Sequence, residues 1–313
     1  MRLFYATDVH GSDRCFTKFV NAAAFYEADA ILLGGDLTGK AIVPLVSNGS
    51  AYHARFLGDE LEVEQGDAVV ELEQRIANAG YYAYRCDPEE EEALGENAEA
   101  RERLFLQLMK ERLERWVGLA EERLSPSGVP CFVNAGNDDP PEIDSVVEDS
   151  PWVQFLEGRV VQLPDGTEVA SCGFANRTPW DCPRDIEERE LAQRLEAVIG
   201  QLREPGQSVF NFHCPPYGTG IDSGPKLNEE FQMQSGAGGI EMHPVGSTAC
   251  REAIEHHQPL LGLHGHLHES RGTYKLGRTI CINPGSEYNE GILRGALVEL
   301  KNGNLKSHQF TAG

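Results

Sequence analysis

Five short runs of the chain are almost wholly apolar and then stop on Gly, Asp, Asn or His: RLFYATD (2–8), DAILLGGD (29–36), PCFVNAGND (130–138), SVFNFHCP (208–215) and PLLGLHGH (259–266). Apolar runs of this length with no polar alternation predict strands buried on both faces, as in the centre of a covered α/β sheet. VVQLPDGTEVASCGF (160–174) predicts a hairpin turning at Asp165-Gly166, and TYKLGRTICINPG (273–285) predicts another near Gly277. GALVELKNGNLKSHQF predicts a third pair of strands around Asn302-Gly303. These later pairs predict a second sheet facing the first. Helices are predicted over about 12–27, 184–203 and 245–256, and most strongly within 98–124. There Phe105, Met109, Leu113, Trp116, Ala120 and Leu124 recur at 3 and 4 spacing and mark one apolar stripe, read as core-facing in preference to a cofactor box or a dimer seam.

At 313 residues, with 40% hydrophobic and 25% charged residues, the chain can bury a sizeable core and is too apolar for intrinsic disorder. Its formal net charge is −23, and between 59 and 123 there are 19 acidic against 8 basic side chains, about half of that excess. The run DPEEEE (87–92) reads as a solvated approach to a helix. No repeat and no Gly/Ser or Pro-rich linker divides the chain, so 1–313 is expected to be one domain, with 40–128 an embedded acidic helical insertion. Such a charge repels a polyphosphate backbone and argues against duplex nucleic acid as a partner, while a small phosphate ester stays open because local cations can outweigh a distant field. The start, MRLFYATDVHG, meets Asp8 and His10 too early for a signal peptide, and no apolar run nears the ~20 residues of a membrane span. The 8 cysteines have no CxxC pairing and read as small buried hydrophobes of a cytoplasmic protein.

Chemistry gathers where the apolar runs end. LLGLHGHLHE places His264, His266 and His268 at every second position. DVHG supplies Asp8 and His10, GGDL supplies Asp36, GNDD supplies Asn137 and NFHCPP supplies His213. Leaving His264 aside, two carboxylates, an amide oxygen and four imidazoles make a mixed oxygen and nitrogen donor set suited to two borderline divalent ions such as Mn²⁺, Fe²⁺ or Zn²⁺, with one carboxylate able to bridge them.

The order D-x-H, G-G-D, G-N-x-D, a lone His and G-H-x-H resembles the calcineurin-like metallophosphoesterase family, across residues 8 to 268. TPW, HCPPYGT, HGHLHES and INPGSEY further resemble a little-characterised prokaryotic branch of it. The resemblance implies a four-layer α/β/β/α sandwich of two mixed sheets with both metals at the strand ends. It also implies that Asp8, His10, Asp36 and His268 hold one metal and that Asp36, Asn137, His213 and His266 hold the other. His264 matches no ligand position and reads as filler or as support for its neighbours. The implied reaction is hydrolysis of a small phosphomonoester or phosphodiester by in-line attack of a hydroxide shared by the metals.

The departure is Asp138, where the family commonly has His. A carboxylate beside two dications should stay ionised, act poorly as an acid and repel phosphate, so it is expected to orient a neighbouring imidazole or water. His243 and Tyr217 are then candidates to protonate the leaving oxygen. Arg177 and Lys226 are candidates to clamp phosphate, and Asn283 and Ser286 to line the pocket. Two other readings compete: a protein phosphatase, and a binding protein that keeps the fold without turnover, which Asp138 favours. Homo-oligomerisation is left open.

Overall fold

The computed structural model describes residues 1–228, 230, 232–236 and 239–313. Two six-stranded mixed sheets carry the chain. In the first, β1 (Arg2–Ala6), β2 (Ala30–Leu33), β7 (Cys131–Val133) and β8 (Val153–Phe155) run parallel, and the antiparallel pair β21 (Arg294–Lys301) and β22 (Asn304–Ala312) extends it from β1. In the second, β10 (Glu168–Cys172), β13 (Val209–Phe212), β18 (Leu261–Leu263) and β20 (Thr279–Asn283) run parallel. Its edges are the antiparallel strands β9 (Val160–Gln162) and β19 (Gly272–Leu276).

The period of two along each strand explains the layering. In β1 and β2, Leu3, Tyr5, Ala30 and Leu32 point inward and meet Val169, Val209, Leu261, Leu263 and Ile282 of the second sheet. Their neighbours Phe4, Ala6, Ile31 and Leu33 point outward and are covered by α1 (Asp13–Phe25) and α4 (Ala98–Leu124). Across the molecule Ala170, Cys172, Phe210, Phe212 and Cys281 are covered by α6 (Glu188–Ile199) and α7 (Thr248–His257). Strands buried on both faces have no solvent side, so their sequences run apolar without alternation. The architecture is the expected α/β/β/α sandwich.

The anticipated hairpins form, but the third, β21 with β22, joins the first sheet beside β1 instead of the second. Gly166 and Gly277 take positive φ at their turns, and Asn302 and Gly303 do so together between β21 and β22. On α4, the Met109, Leu113, Trp116, Ala120 and Leu124 stripe is buried, and Trp116 stacks on Phe16 at 4.2 Å between ring centres. All eight cysteines are unpaired, seven of them buried.

The insertion differs from the helical expectation. Besides α2 (Asp67–Asn78), α3 (Pro88–Glu96) and α4, it holds a four-stranded sheet with a core of its own, built from β3 (Ile42–Ser47), β4 (Ala51–Phe56), β5 (Asp59–Glu64) and β6 (Tyr82–Cys86). The missed signal was alternation in AYHARF and DELEVE about Leu57-Gly58, both at positive φ, which a high acidic content on the solvent face disguised. Short pairings complete the chain: Ala175–Asn176 (β11) with Asp185–Ile186 (β12), Ser223–Pro225 (β14) with Met242–Pro244 (β17), and Ser235–Gly236 (β15) with Gly239–Ile240 (β16). Among the described residues no helix is long and apolar enough to cross a membrane.

Candidate metal centre

The carboxyl ends of the parallel strands of both sheets open at the same end of the sandwich, and the loops beyond them are laced together. Asp8, His10 and Gly11 donate backbone N–H groups to the carbonyls of Gly35, Asp36 and Leu37, and Gly265 donates to His213. The two halves are joined where the His266 N–H donates to Asp8 Oδ1 at 2.9 Å. Asp8, His10, Asp36 and His266 all sit at positive φ (55°, 38°, 52° and 68°), a region that costs an L-residue about 1–2 kcal/mol. Non-glycine residues hold such angles where surrounding bonds over-determine them, and they concentrate at functional sites. Backbone approach is equally close: a side chain at Gly136 would collide with the Asp36 carboxylate, and one at Gly265 with that of Asp8.

Asp8, His10, Asp36 and His268 each present one ligand atom, and these atoms all lie within 4.8 Å of one another. His10 Nε2 faces His268 Nε2 at 2.9 Å, and Asp8 Oδ1 is 3.4 Å from His268 Nε2. Asp36 Oδ2 stands 3.5 Å from His10 Nε2 and 3.4 Å from His213 Nε2, between an imidazole of one sheet and an imidazole of the other. On the far side of His213, Asn137 Oδ1 lies 2.8 Å from His266 Nδ1, and the His213 and His266 ring centres are 5.5 Å apart. The seven residues read as ligands therefore come together around Asp36.

The donors fit divalent ions on two counts. Both ring nitrogens of the fully buried His213 make no hydrogen bond, an expensive state for an imidazole that a coordinated cation relieves. The charges of the cluster also ask for a cation. Burial, reinforced by Asp138 and Asp8, pushes the Asp36 carboxyl up to about 7, while Asp36 and Asp8 override burial and push His213 up to about 10. Protons thus neutralise what a metal would neutralise. Asp8 stays below the ordinary carboxylate range because His268, His213 and His10 outweigh its burial.

Several supporting residues escaped sequence reading. Asp139, fully buried, accepts hydrogen bonds from the N–H groups of Leu37, Thr38 and Gly136 and from the Thr38 hydroxyl, tying the loop that carries Asp36 to the loop that carries Asn137. Asp185 accepts from Asn137 Nδ2 at 3.1 Å and so turns the amide oxygen toward His266. Tyr288 lays its ring 4.6 Å from that of His10. Lys40 places Nζ 2.9 Å from Asp138 Oδ2, which is itself 3.7 Å from His10 Nδ1. Asp139, Lys40 and Tyr288 lie in the local motifs GNDD, GGDLTGK and INPGSEY, while Asp185 and the contact of Tyr288 with His10 arrive through tertiary packing.

The Asp138 carboxyl is held well below its ordinary value, since His10 and Lys40 outweigh its burial, and the Lys40 ammonium is held above its own by Asp138 and Asp36 against the effect of burial. Asp138 does face an imidazole, and a lysine as well. The other candidates are paired elsewhere or exposed. Arg177 is exposed and paired with Asp181 at 2.5 Å and Glu187 at 3.0 Å, and Lys226 pairs with Glu241 at 3.4 Å. His243 is exposed on β17, and Tyr217 is half-exposed. Asn283 corrects the pocket-lining expectation: it is fully buried, and its amide donates to the carbonyls of Ile221, Gly265 and Leu267, bracing the loop that carries His266 and His268. Ser286 likewise turns inward, donating to the Asp8 carbonyl at 2.6 Å. His264, fully buried, places Nδ1 2.8 Å from the Phe212 carbonyl and supports the strand ends.

The insertion abuts this site. The Tyr82 hydroxyl accepts from the Gly39 N–H at 2.9 Å, and the Gly80 carbonyl presses so closely on Gly39 that no side chain would fit there. Arg112 of α4, buried, donates to the carbonyls of Gly11 and Tyr81 and lies over the Tyr82 ring at 4.7 Å, clamping the insertion to the Asp8–Gly11 loop.

Over its whole length the chain aligns with solved structures. The protein TT1561 of Thermus thermophilus matches with a TM-score of 0.56 at 16% identity, covering 100% of this chain and 97% of that one. The two share the fold, a four-layer sandwich of two mixed sheets between helices. A second solved structure matches at a TM-score of 0.55 and 18% identity, over 100% of this chain and 98% of that one. In sequence, a Methanocaldococcus jannaschii protein described as uncharacterized protein MJ1162 is 30% identical over 129 residues, 40% of this chain. That match spans 51% of the relative, about half of its length. No family model matches the chain.

Proposed function

We propose that this protein is a metal-dependent phosphoesterase of the calcineurin-like metallophosphoesterase family, hydrolysing a small phosphomonoester or phosphodiester with two divalent ions, Mn²⁺, Fe²⁺ or Zn²⁺, in the cage around Asp36. The observation that carries the reading is the position of Asp36 Oδ2, within 3.5 Å of imidazoles from both sheets, with Asp8 and His268 on one side and Asn137 and His266 on the other. Bound there, two such ions would make water acidic enough to furnish a nucleophile at neutral pH and would screen the phosphoryl oxygens as they gain charge.

The chain's own residues would set the geometry. Asp8, His10, Asp36 and His268 would hold one ion, and Asp36, Asn137, His213 and His266 the other. The amide oxygen of Asn137 adds a hard donor without adding charge, so the loaded cage stays cationic enough to receive phosphate. Asp139 and Asp185 fix the loops and the amide orientation from behind. Among the described residues no cysteine or serine nucleophile is required. The adjoining insertion, acidic and packed against the Asp8–Gly11 loop, favours a small substrate over a long nucleic acid.

Wild-type protein loaded with Mn²⁺ is expected to hydrolyse bis-p-nitrophenyl phosphate, p-nitrophenyl phosphate or both, with two metals per chain by elemental analysis. Asp36→Ala should strip the metals and take hydrolysis to background. A wild-type protein that holds two metals and cleaves neither ester would instead support a metal-bearing binding protein. Metal content and cleavage both untouched by Asp36→Ala would end the proposal.

A further inference from the structure

The position that most separates this chain from its family resemblance is Asp138, and it does not stand alone. Its carboxylate is 2.9 Å from Lys40 Nζ and 3.7 Å from His10 Nδ1, and its backbone N–H donates to Asp36 Oδ1 at 3.0 Å. An unpaired carboxylate here would repel a phosphate; paired with an ammonium it is locally neutral. Lys40 is half-exposed and Asp138 mostly covered, so the ammonium forms the solvent-facing edge of the pair. An ammonium carries three N–H donors, and one bond to Asp138 leaves two.

Other cations near the strand ends are committed, and Arg271, in the loop after His268, lies over the Phe310 ring at 4.8 Å. Arg112 is bound to backbone carbonyls, Arg184 to the Asp139 carbonyl and the Asp144 carboxylate, Arg294 to Glu287, Arg177 to Asp181 and Glu187. Among the described residues Lys40 is the cation whose carboxylate partner belongs to the ligand loops themselves. It is also fixed at its root, where the Gly39 N–H is held by the Tyr82 hydroxyl and the Gly80 carbonyl packs against Gly39. The insertion thereby sets where Lys40 emerges.

We propose that Lys40, held in place by Asp138, contacts the phosphoryl oxygens of the substrate at the edge of the metal cage, supplying the positive charge that the family's usual imidazole would supply. The inference rests on the phosphoesterase reading and names the residue that recognises phosphate within it. Lys40 would be the substrate contact, acting by charge and by two hydrogen bonds, and Asp138 the positioning residue that keeps the ammonium beside the cage. The charge-assisted bonds of an ammonium to phosphate are strong where water is partly excluded, so their loss should be plain in binding.

The test is inorganic phosphate as a ligand of the Mn²⁺-loaded, full-length protein, measured by calorimetry, beside metal content and steady-state kinetics. Lys40→Met should weaken phosphate binding about tenfold or more and raise KM more than it lowers kcat, with two metals retained; Lys40→Arg should recover most of the binding. Asp138→Asn should weaken phosphate binding severalfold, and that loss should vanish in a Lys40→Met background, since the carboxylate acts through the ammonium. Phosphate affinity within twofold of wild type in Lys40→Met with metals retained overturns the assignment, as does metal loss in both Lys40→Met and Lys40→Gln, which would make the charge a prop of the cage. A wild-type protein that binds phosphate through Lys40 yet cleaves neither ester defeats the phosphoesterase reading and leaves the Lys40 contact standing.

Discussion

The two sheets contribute to the cluster in different currencies. The first brings every oxygen donor, Asp8, Asp36 and Asn137, with one imidazole, His10; the second brings imidazoles alone, His213, His266 and His268. The first also carries most of the backbone strain, at Asp8, His10 and Asp36, against His266 in the second. Carboxylates crowded within a few ångströms repel one another, and their loops must be held by neutral and charged donors from behind. Asp139 supplies that hold in the first half, gathering three N–H groups and a hydroxyl on one buried carboxylate. In the second half the support is a set of separate bonds from Asn283 and His264 to backbone carbonyls. The loops of Asp36 and Asn137 are thus bound to a single hub, and the nitrogen donors to a distributed scaffold.

That contrast makes the first half the more fragile. Asp139→Ala leaves four buried donors without an acceptor, and each orphaned group costs about 1–3 kcal/mol, so a total loss of about 4 kcal/mol is expected after relaxation. At this chain length that is a fall in melting temperature of roughly 10 °C, read by calorimetry of the metal-free protein, with metal affinity falling as well. A change below about 2 °C would show that the Asp36 and Asn137 loops are held by something other than Asp139.

The second half should tolerate damage better. His264→Leu removes one hydrogen bond, that to the Phe212 carbonyl, and fills the space with an apolar side chain, for an expected loss of about 1–2 kcal/mol and a fall of roughly 2–5 °C. Metal content and ester cleavage are expected to stay near wild type. Loss of both metals in a folded His264→Leu protein would promote His264 to the cage and erase the distinction between the halves.

The same contrast governs what the sequence disclosed. The candidate ligands at the ends of buried strands were legible because the polar residues that end an unbroken apolar run have little to gain there except chemistry; Asp8, Asp36, Asn137 and His213 all stood out in this way. The runs gave buried strands of a covered sheet, while the four layers came from the family resemblance. What stayed hidden depends on tertiary approach. Asp185 reaches Asn137 from 48 residues away, and Tyr288 reaches His10 from the far end of the chain. Asn283 looked like a pocket residue because INPGS follows a strand near the ligand loops; only the three-dimensional path of Gly265 and Leu267 shows that its amide is consumed by their carbonyls. The β-sheet in the insertion was missed for another reason: its outward positions are acidic, and charge masked an alternation that was present.

The finest probe of the comparison is a bond that crosses between the halves. Glu157, in the loop after β8 of the first sheet, accepts from the Gly173 N–H, just past β10 of the second, at 2.5 Å. Burial pushes its carboxyl up to about 7, with Asp144 adding to the rise, although Arg184 and the Gly173 N–H pull the other way. A group whose folded pKa lies above its unfolded one stabilises fully below the unfolded value, near 4.5, and loses that contribution as pH rises through about 7. Glu157→Gln keeps an oxygen for Gly173 but cannot ionise. Metal-free wild type and variant should therefore melt at similar temperatures at pH 4.5, and by pH 8 the variant should melt about 2–4 °C higher, a difference of roughly 1 kcal/mol once partial exposure of the side chain is allowed for. An equal gap at both pH values would mean that Glu157 does not titrate in the junction, and that the two halves meet there through packing alone.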